Sequence, residues 1–515
     1  MPRFRLFSLA ALSVVAACGG HSDARNGPLA YYESYDPRSL DPALSTDVPT
    51  GEMVTYLYDG LTRFSPDGAL QPGLADRWSV SPSGLRYVFH LRPGVKFHDG
   101  SPLTAAAVRH SFLRVLDPKT MGGRAWPLLP IDGAREYAAG RSPAVHGIEL
   151  LGDSAVVLTL AEPLAVFPKF LAMPVASIAP IAAGDLNAHP NGTGPWRFVS
   201  WAHDDALQFA GNPDYWDGAP RAESLTVRLI PDQLVRAAEF EAGRLHVVEV
   251  PFGETAQWRQ RHPEWLQEKP ALRVTYVALN NRRGPLRDVR VRQAINHAVN
   301  VPQILATVWG GRGILARGAI PPSLPGGDTT RRGLAYDTAQ ARQLLRAAGY
   351  AGGFSVQLWR TADNVTLGRV AQAIQADLAQ VDIRVEIIER DASSQREAAR
   401  AGNADMAVLD WWADYPDGDN FLFPLFHSAS AGRGGNYAFY ADPATDSLIL
   451  AARRTQDDAA RTALYRRIDD RVYQAAPWLY LWFPVDLWAV SPSITGWELP
   501  VIFNGQRWTH AHRVP

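Results

Sequence analysis

Segments whose apolar residues recur at every second position alternate with segments where they recur every third or fourth, along nearly the whole chain. That alternation allows few folds. Strands separated by helices predict sheets with helices packed on their faces. Strands are expected at Arg86–Leu91, ended by Pro93-Gly94, and at Ala155–Leu160, Leu225–Ile230, Leu245–Val250, Leu272–Leu279, Ile383–Ile388, Asp405–Trp411 and Leu479–Phe483. Helices are expected at Leu234–Ala242 with Gly243 as stop, after the capping residues Asp288 and Asp337, at Val365–Val381 and at Ala459–Ala475. With 515 residues the chain exceeds one ordinary core, so two or three domains follow.

The composition excludes several functional classes. A formal charge of -1 leaves no basic excess to hold nucleic acid. A single cysteine removes internal disulfides and Cys-rich metal sites. No phosphate-cradling loop, zinc-protease helix or nucleophile elbow is present. Gly310-Gly311-Arg312-Gly313 lacks dinucleotide spacing, and Asp414, Asp417 and Asp419 lack both EF-hand spacing and its closing Glu. His510 and His512 read as a frayed tail rather than a metal site, so no metal or cofactor is expected. The 16 Trp are numerous, and most are expected in the core.

The cysteine has a telling position. Arg3 and Arg5 precede a short apolar run, Leu6 to Ala17, too short to span a bilayer and matching a signal-peptide core. Val15-Ala16-Ala17-Cys18 resembles a lipobox, which makes 1–17 a signal peptide, Cys18 the lipidation site and 18–26 a lipidated tether. Several acyl chains on one cysteine suffice for stable anchoring. The expected location is extracytoplasmic, in the periplasm or on the outer face of the cell membrane.

Four blocks then resemble one family, the family 5 extracellular solute-binding proteins of oligopeptide, dipeptide and nickel importers. The first spans 39–112: Ser39-Leu40-Asp41-Pro42, Tyr58-Asp59-Gly60-Leu61, Leu74-Ala75-Asp76-Arg77-Trp78 and Phe97-His98-Asp99-Gly100-Ser101-Pro102-Leu103-Thr104. Asn191-Gly192-Thr193-Gly194-Pro195 is the second, and Asn280-Asn281 with Val289-Arg290-Val291-Arg292-Gln293-Ala294 the third. Trp411-Trp412-Ala413-Asp414-Tyr415-Pro416-Asp417-Gly418-Asp419-Asn420-Phe421 is the fourth. Trp196, Gly418 and Ala107 depart from the family pattern, Ala107 removing a capping-box partner for Thr104.

The resemblance implies an α/β periplasmic-binding-protein-like fold of class II with three lobes, two of them closing on a ligand cleft. Lobe I would comprise 27–50, 190–270 and 485–515, lobe II the insertion 51–189, and lobe III 271–484. It implies a solute-binding receptor, not an enzyme, that passes a short peptide to ABC transporter permease subunits and acts as a monomer. Asp414 would accept the ligand's α-ammonium group, because a buried ammonium needs an ionised acceptor. Trp411 and Trp412 would line the cleft, one on each face of the strand end. Backbone groups of Trp412, Ala413, Tyr32, Glu33 and Ser34 would pair with an extended peptide. Arg360 would hold its carboxylate, and Asn436 and Tyr437 complete the implied set. The same fold with a metal chelate, sugar or opine-like compound is the alternative, and a secreted hydrolase a remote one.

Overall fold

The computed structural model describes residues 27–514 except 121, 183, 329, 332 and 433. The signal peptide, Cys18 and the tether lie outside the described residues.

Local signals translate directly into elements. Asp288 accepts a hydrogen bond from the Arg290 amide at 2.8 Å and starts the helix Val289–Ala298. Asp337 does the same from Gln340 at 2.9 Å for Thr338–Ala347. Thr104 caps Ala105–Leu116 through the Ala107 amide at 3.2 Å, without a reciprocal acid. The strand Arg86–Leu91 and the helix Asp458–Ala475 lie where the periodicity puts them. His512–Arg513 pairs with Ile494–Thr495, so the tail expected to fray is tied into a small sheet.

The largest sheet has eight strands. Its order runs Val247–Glu249, Trp478–Val490, Arg273–Leu279, Met406–Trp412, Phe354–Thr361, Ile383–Arg390, with Leu266–Pro270 and Gly313–Leu315 also paired to Trp478–Val490. That strand has 13 residues and changes partners in the middle. Its first half pairs with Arg273–Leu279 and Gly313–Leu315. From Val485, opposite Pro270, it pairs with Leu266–Pro270 on one edge and, over Trp488–Val490, with Val247–Glu249 on the other. Pro484 occupies the changeover, where its missing N–H costs nothing to an established ladder.

A second sheet joins Leu29–Glu33 in parallel to Ser224–Leu229, followed by Ala206–Gly211 and Trp196–Ala202. A third, antiparallel, contains Ala75–Val80, Arg86–Leu91, Ala155–Thr159 and Ile148–Leu151. One core lies under the second sheet and reaches Leu487–Leu499. Another lies beneath the helices Val289–Ala298, Thr338–Ala347 and Val365–Ala379. The remaining core runs from the third sheet into the other face of the eight-stranded sheet, bridged where the Phe170 and Tyr415 rings meet at 4.9 Å.

Asp59 ties distant segments together. Its buried carboxylate accepts hydrogen bonds from Thr193 Oγ1 at 3.0 Å, Trp216 Nε1 at 3.0 Å, Tyr215 OH at 3.2 Å and Arg507 Nη1 at 2.8 Å. Two sequence blocks meet here. The turn holding Thr193 passes so close to the helix Val48–Leu57 that a Cβ on Gly192 would lie 2.1 Å from the Leu57 carbonyl oxygen. Asp59→Ala should cost about 3–5 kcal/mol, since it removes the counter-charge of the largely enclosed Arg507 guanidinium and unsatisfies three further donors. Urea denaturation measures this, and a loss below about 1 kcal/mol would show the hub to be dispensable.

Candidate functional site

The strand Met406–Trp412 delivers the Asp-rich loop to the top of the large sheet. The three aspartates there differ in role. Asp417 is fully buried, bonded to Lys169 Nζ at 2.6 Å and to Tyr465 OH at 2.7 Å. Burial works to raise its pKa, but Lys169 and its hydrogen bonds outweigh this and hold it below the usual value. Asp419 accepts from Tyr415 OH at 2.7 Å, and burial lifts its pKa. These two carboxyls anchor the loop. Gly418 between them lies so near Pro325 that a Cβ would sit 2.8 Å from its carbonyl oxygen.

Asp414 is left facing outward from the loop. Its side chain keeps 23% of its accessible surface, and its amide donates to Asn420 Oδ1 at 3.1 Å. The Arg124 guanidinium is ion-paired with Asp414 Oδ1 and also donates to the Thr46 carbonyl at 3.2 Å. Enclosure by protein raises the Asp414 pKa, and Arg124 and Asn420 only partly offset it. Arg124 is 290 positions away in sequence and belongs to no motif, so sequence reading missed it.

Three further carboxyls share this double character: water reaches them, yet surrounding protein raises their pKa. Asp410 is exposed, accepts a hydrogen bond from Thr275 Oγ1, and is pushed up by burial against the pull of Arg273. Asp486 lies just past the partner change and is raised to about 6 by burial, with Arg273 and Arg312 opposing and Glu249 assisting. Glu52 is half-buried and raised to about 7 by burial. Asp410 and Asp414 come from the large sheet's end, Asp486 from the crossing strand and Glu52 from the helix Val48–Leu57. A charged residue inside the apolar run Val408–Trp412 was the overlooked signal for Asp410.

The other expected site residues divide. Trp412 is 57% exposed, with the Arg273 guanidinium 4.2 Å above its ring. Trp411 turns to the opposite face, packs on the core and donates to Asn420 Oδ1 at 3.2 Å. Tyr32 is buried, its hydroxyl accepting from the Glu249 amide at 3.2 Å and its ring under Arg236 at 4.7 Å. The Glu33 carbonyl accepts from Ile230, so alternation turns the backbone of Tyr32 and half-buried Ser34 to the open edge of their sheet. Tyr437 is partly buried against the core.

Three expectations need correction. The Ala413 amide donates to the Leu272 carbonyl at 2.9 Å and so extends the sheet instead of meeting a ligand. Arg360 shares a strand face with Val356 and Leu358, lies against Gly368, donates to the Thr361 carbonyl at 2.7 Å and ion-pairs with Glu389. Its guanidinium is committed inside lobe-forming structure. Asn436 is completely buried: its Nδ2 donates to Tyr440 O at 2.8 Å and its Oδ1 accepts from the Tyr440 amide at 3.1 Å, which pins its own loop.

Comparison with known proteins gives a consistent picture. Residues 69–433 match the model described as bacterial extracellular solute-binding proteins, family 5 Middle. The chain is 33% identical over 521 residues to di/tripeptide-binding protein 2 of Pseudomonas aeruginosa, covering 97% of each chain. It is 31% identical over 500 residues to the dipeptide-binding protein of Escherichia coli, covering 92% of this chain and 91% of the other. Among solved structures, the periplasmic binding protein DppA of Helicobacter pylori in complex with the peptide STSA superposes with a TM-score of 0.78 at 28% identity, covering 95% and 99% of the two chains. AgaA in complex with agropinic acid, from A. tumefaciens R10, gives 0.77 at 27% identity, covering 95% and 99%. The three-lobed class II architecture of such proteins is therefore the fold of this chain.

Arg124→Met tests the electrostatics of the wall. Without its partner the Asp414 carboxyl rises further above its unfolded-state value. A carboxyl raised in the folded state favours folding below its unfolded pKa, and that advantage is lost as pH rises through the folded value. The variant's stability loss should therefore grow from pH 4 to pH 8 in urea titrations. A pH-independent loss would mean that the pair contributes packing alone.

Proposed function

The chain belongs to the bacterial extracellular solute-binding proteins of family 5, and on that footing we propose that it captures short peptides between its lobes and hands them to the permease of an ABC importer. Lobe I is formed by 27–50, 190–270 and 485–515, lobe II by 51–189 and lobe III by 271–484. The two hinge crossings fall at 270/271 and 484/485, where the long strand exchanges partners. Lobe closure over the ligand buries it, as hinged binding proteins do.

The observation that carries this reading is Asp414, an enclosed carboxylate already holding a cation. A peptide's α-ammonium group is the same kind of partner as the Arg124 guanidinium, and Asp414 would accept it with Arg124 moving aside. The unpaired backbone edges at Trp412, Tyr32 and Ser34 suit an extended main chain, and pairing of that kind ignores side chains. The exposed Trp412 ring offers a flat wall for ligand side chains.

A second reading draws on the same ion pair. If Arg124 stays on Asp414, the wall is neutral at that point and the cargo has no cationic end, as a non-peptide solute would. The likeness to the agropinic acid receptor supports that possibility. Calorimetric titration with trialanine and N-acetyl-trialanine separates the two. The peptide reading requires acetylation, and separately Asp414→Ala, to cost about 2 kcal/mol or more, roughly thirtyfold in affinity. Equal binding of both compounds, or undiminished binding by the variant, would leave the non-peptide reading.

The protein works as a monomeric receptor without catalysis, held to a membrane by lipid on Cys18. No described helix is long and apolar enough to cross a membrane, and the lipobox-like Val15–Cys18 supplies the anchor. Cys18→Ser should move the protein from the detergent phase to the aqueous phase in Triton X-114 partitioning. Unchanged partitioning would exclude the lipid.

A further inference from the structure

We propose that Glu33 and Glu52 form a second cation-binding subsite, which takes a lysine or arginine side chain of the bound peptide; this rests on the peptide reading above. Glu33 ends the strand Leu29–Glu33, at the carboxyl end where ligands of open α/β sheets bind. Its side chain is 7% exposed, and Oε1 is buried with no hydrogen-bond partner among the described residues. The Glu52 carboxyl, from the first turns of Val48–Leu57, is the acidic group that acts on it most strongly. Tyr56 OH donates to Glu52 Oε2 at 3.4 Å, and Tyr31 lies beside the same carboxyl. Trp508 closes the back, with Nε1 3.2 Å from the Tyr56 hydroxyl and its ring centre 5.3 Å from that of Tyr31.

No cation answers this pair. Elsewhere a cation acts on each such carboxyl: Arg124 pairs with Asp414, the Arg273 charge lowers Asp410, and Arg273 with Arg312 opposes the rise at Asp486. Among the described residues no salt bridge reaches Glu33 or Glu52, and the charged group facing Glu33 besides Glu52 is another acid, Asp47. The remaining titratable neighbours are the tyrosines Tyr31, Tyr32, Tyr35 and Tyr56, while the nearby cations are engaged elsewhere, Arg38 with Asp47 at 3.6 Å and Arg236 over the Tyr32 ring. Two neighbouring enclosed carboxyls resist ionising together without a cation, so the pair tends to keep a shared proton. A buried acceptor left without a donor is destabilising, and a ligand ammonium or guanidinium would satisfy it.

The pair also belongs to the ligand's surroundings. Arg124 links Asp414 to the Thr46 carbonyl, Asp47 follows Thr46 and caps Val48–Leu57 through Thr50, and Glu52 is on that helix. The half-buried Glu52 is the member that water reaches. A ligand cation entering there would displace the shared proton. Both carboxyls are raised by burial, Glu52 to about 7 and Glu33 well above its ordinary value. Binding of a basic side chain should therefore release a proton and strengthen as pH rises through neutrality.

The test uses tripeptides with free termini, in which one of three alanines is replaced by lysine or by its uncharged isostere norleucine. Each is titrated calorimetrically at pH 6 and pH 8. For at least one position the lysine peptide should bind about tenfold more tightly than its norleucine partner at pH 8, as a charge-assisted contact requires. The ratio should narrow at pH 6 and fall to about one in Glu33→Gln/Glu52→Gln. Circular dichroism checks that the variant is folded. A ratio near one at every position in the native protein, or a preference that survives in the double variant, overturns the subsite. If norleucine peptides bind and lysine gives no advantage, the peptide reading stands and only the subsite falls. If no peptide binds, the peptide reading itself fails and the subsite with it.

Discussion

A single strand, Trp478–Val490, belongs to two packing units at once. Its first half is a central strand of the large sheet, under the core of Leu479, Leu481 and Trp482. Its second half places Leu487 and Ala489 in the core of the other unit. Neither unit can fold without fixing that strand, so their relative position is set by a few backbone angles around Pro484. The chain crosses again at Pro270–Ala271, alongside the first crossing. On the proposed lobe division, two adjacent crossings would make the axis about which the units turn, with the seam beside it. Arg273, Asp486 and Arg312 cluster there because the seam is made where the strand changes partners.

The electrostatics of the seam follow from its shape. Carboxyl groups in a concavity lose bulk water without gaining full protein solvation, which raises their pKa and makes them strong acceptors for an incoming cation. Asp414 is held in this state by a scaffold that leaves it little else to do. Asp417 and Asp419 take the loop's structural contacts with Lys169, Tyr465 and Tyr415. Arg124 then keeps the empty site neutral. On the proposed reading its guanidinium would be displaced by a ligand ammonium, which would lower net affinity and favour release to a transporter.

Much of the fold was legible in the sequence, because strand and helix periods are local. Asp288, Asp337 and Gly243 mark helix ends for reasons contained within a turn of chain. The strand at Leu479–Phe483 was read too short: Pro484 is a stop signal in isolation, and only the tertiary exchange of partners lets the strand continue through it. Trp196–Ala202 and Ala206–Gly211 went unread, since their burial alternates weakly and the sheet that holds them draws on Leu29–Glu33 far upstream. At the site, the motif around Asp414 could be found because its residues are contiguous. Arg124 and Glu52 could not, because charge pairing across a cleft leaves no spacing pattern. Arg360 and Asn436 show the converse error. Each is a polar residue near the site in sequence whose groups are used up by neighbours that only the coordinates reveal.

The account's central claim is that the Asp414 carboxylate exchanges Arg124 for the cationic end of the cargo inside the interlobe seam. A crystal structure of the protein grown with trialanine tests this most directly. The claim predicts the peptide's α-nitrogen within hydrogen-bond distance of an Asp414 carboxylate oxygen, with the Arg124 guanidinium moved off it. An ordered peptide bound elsewhere, or one in the seam with the Arg124–Asp414 pair intact, would contradict it.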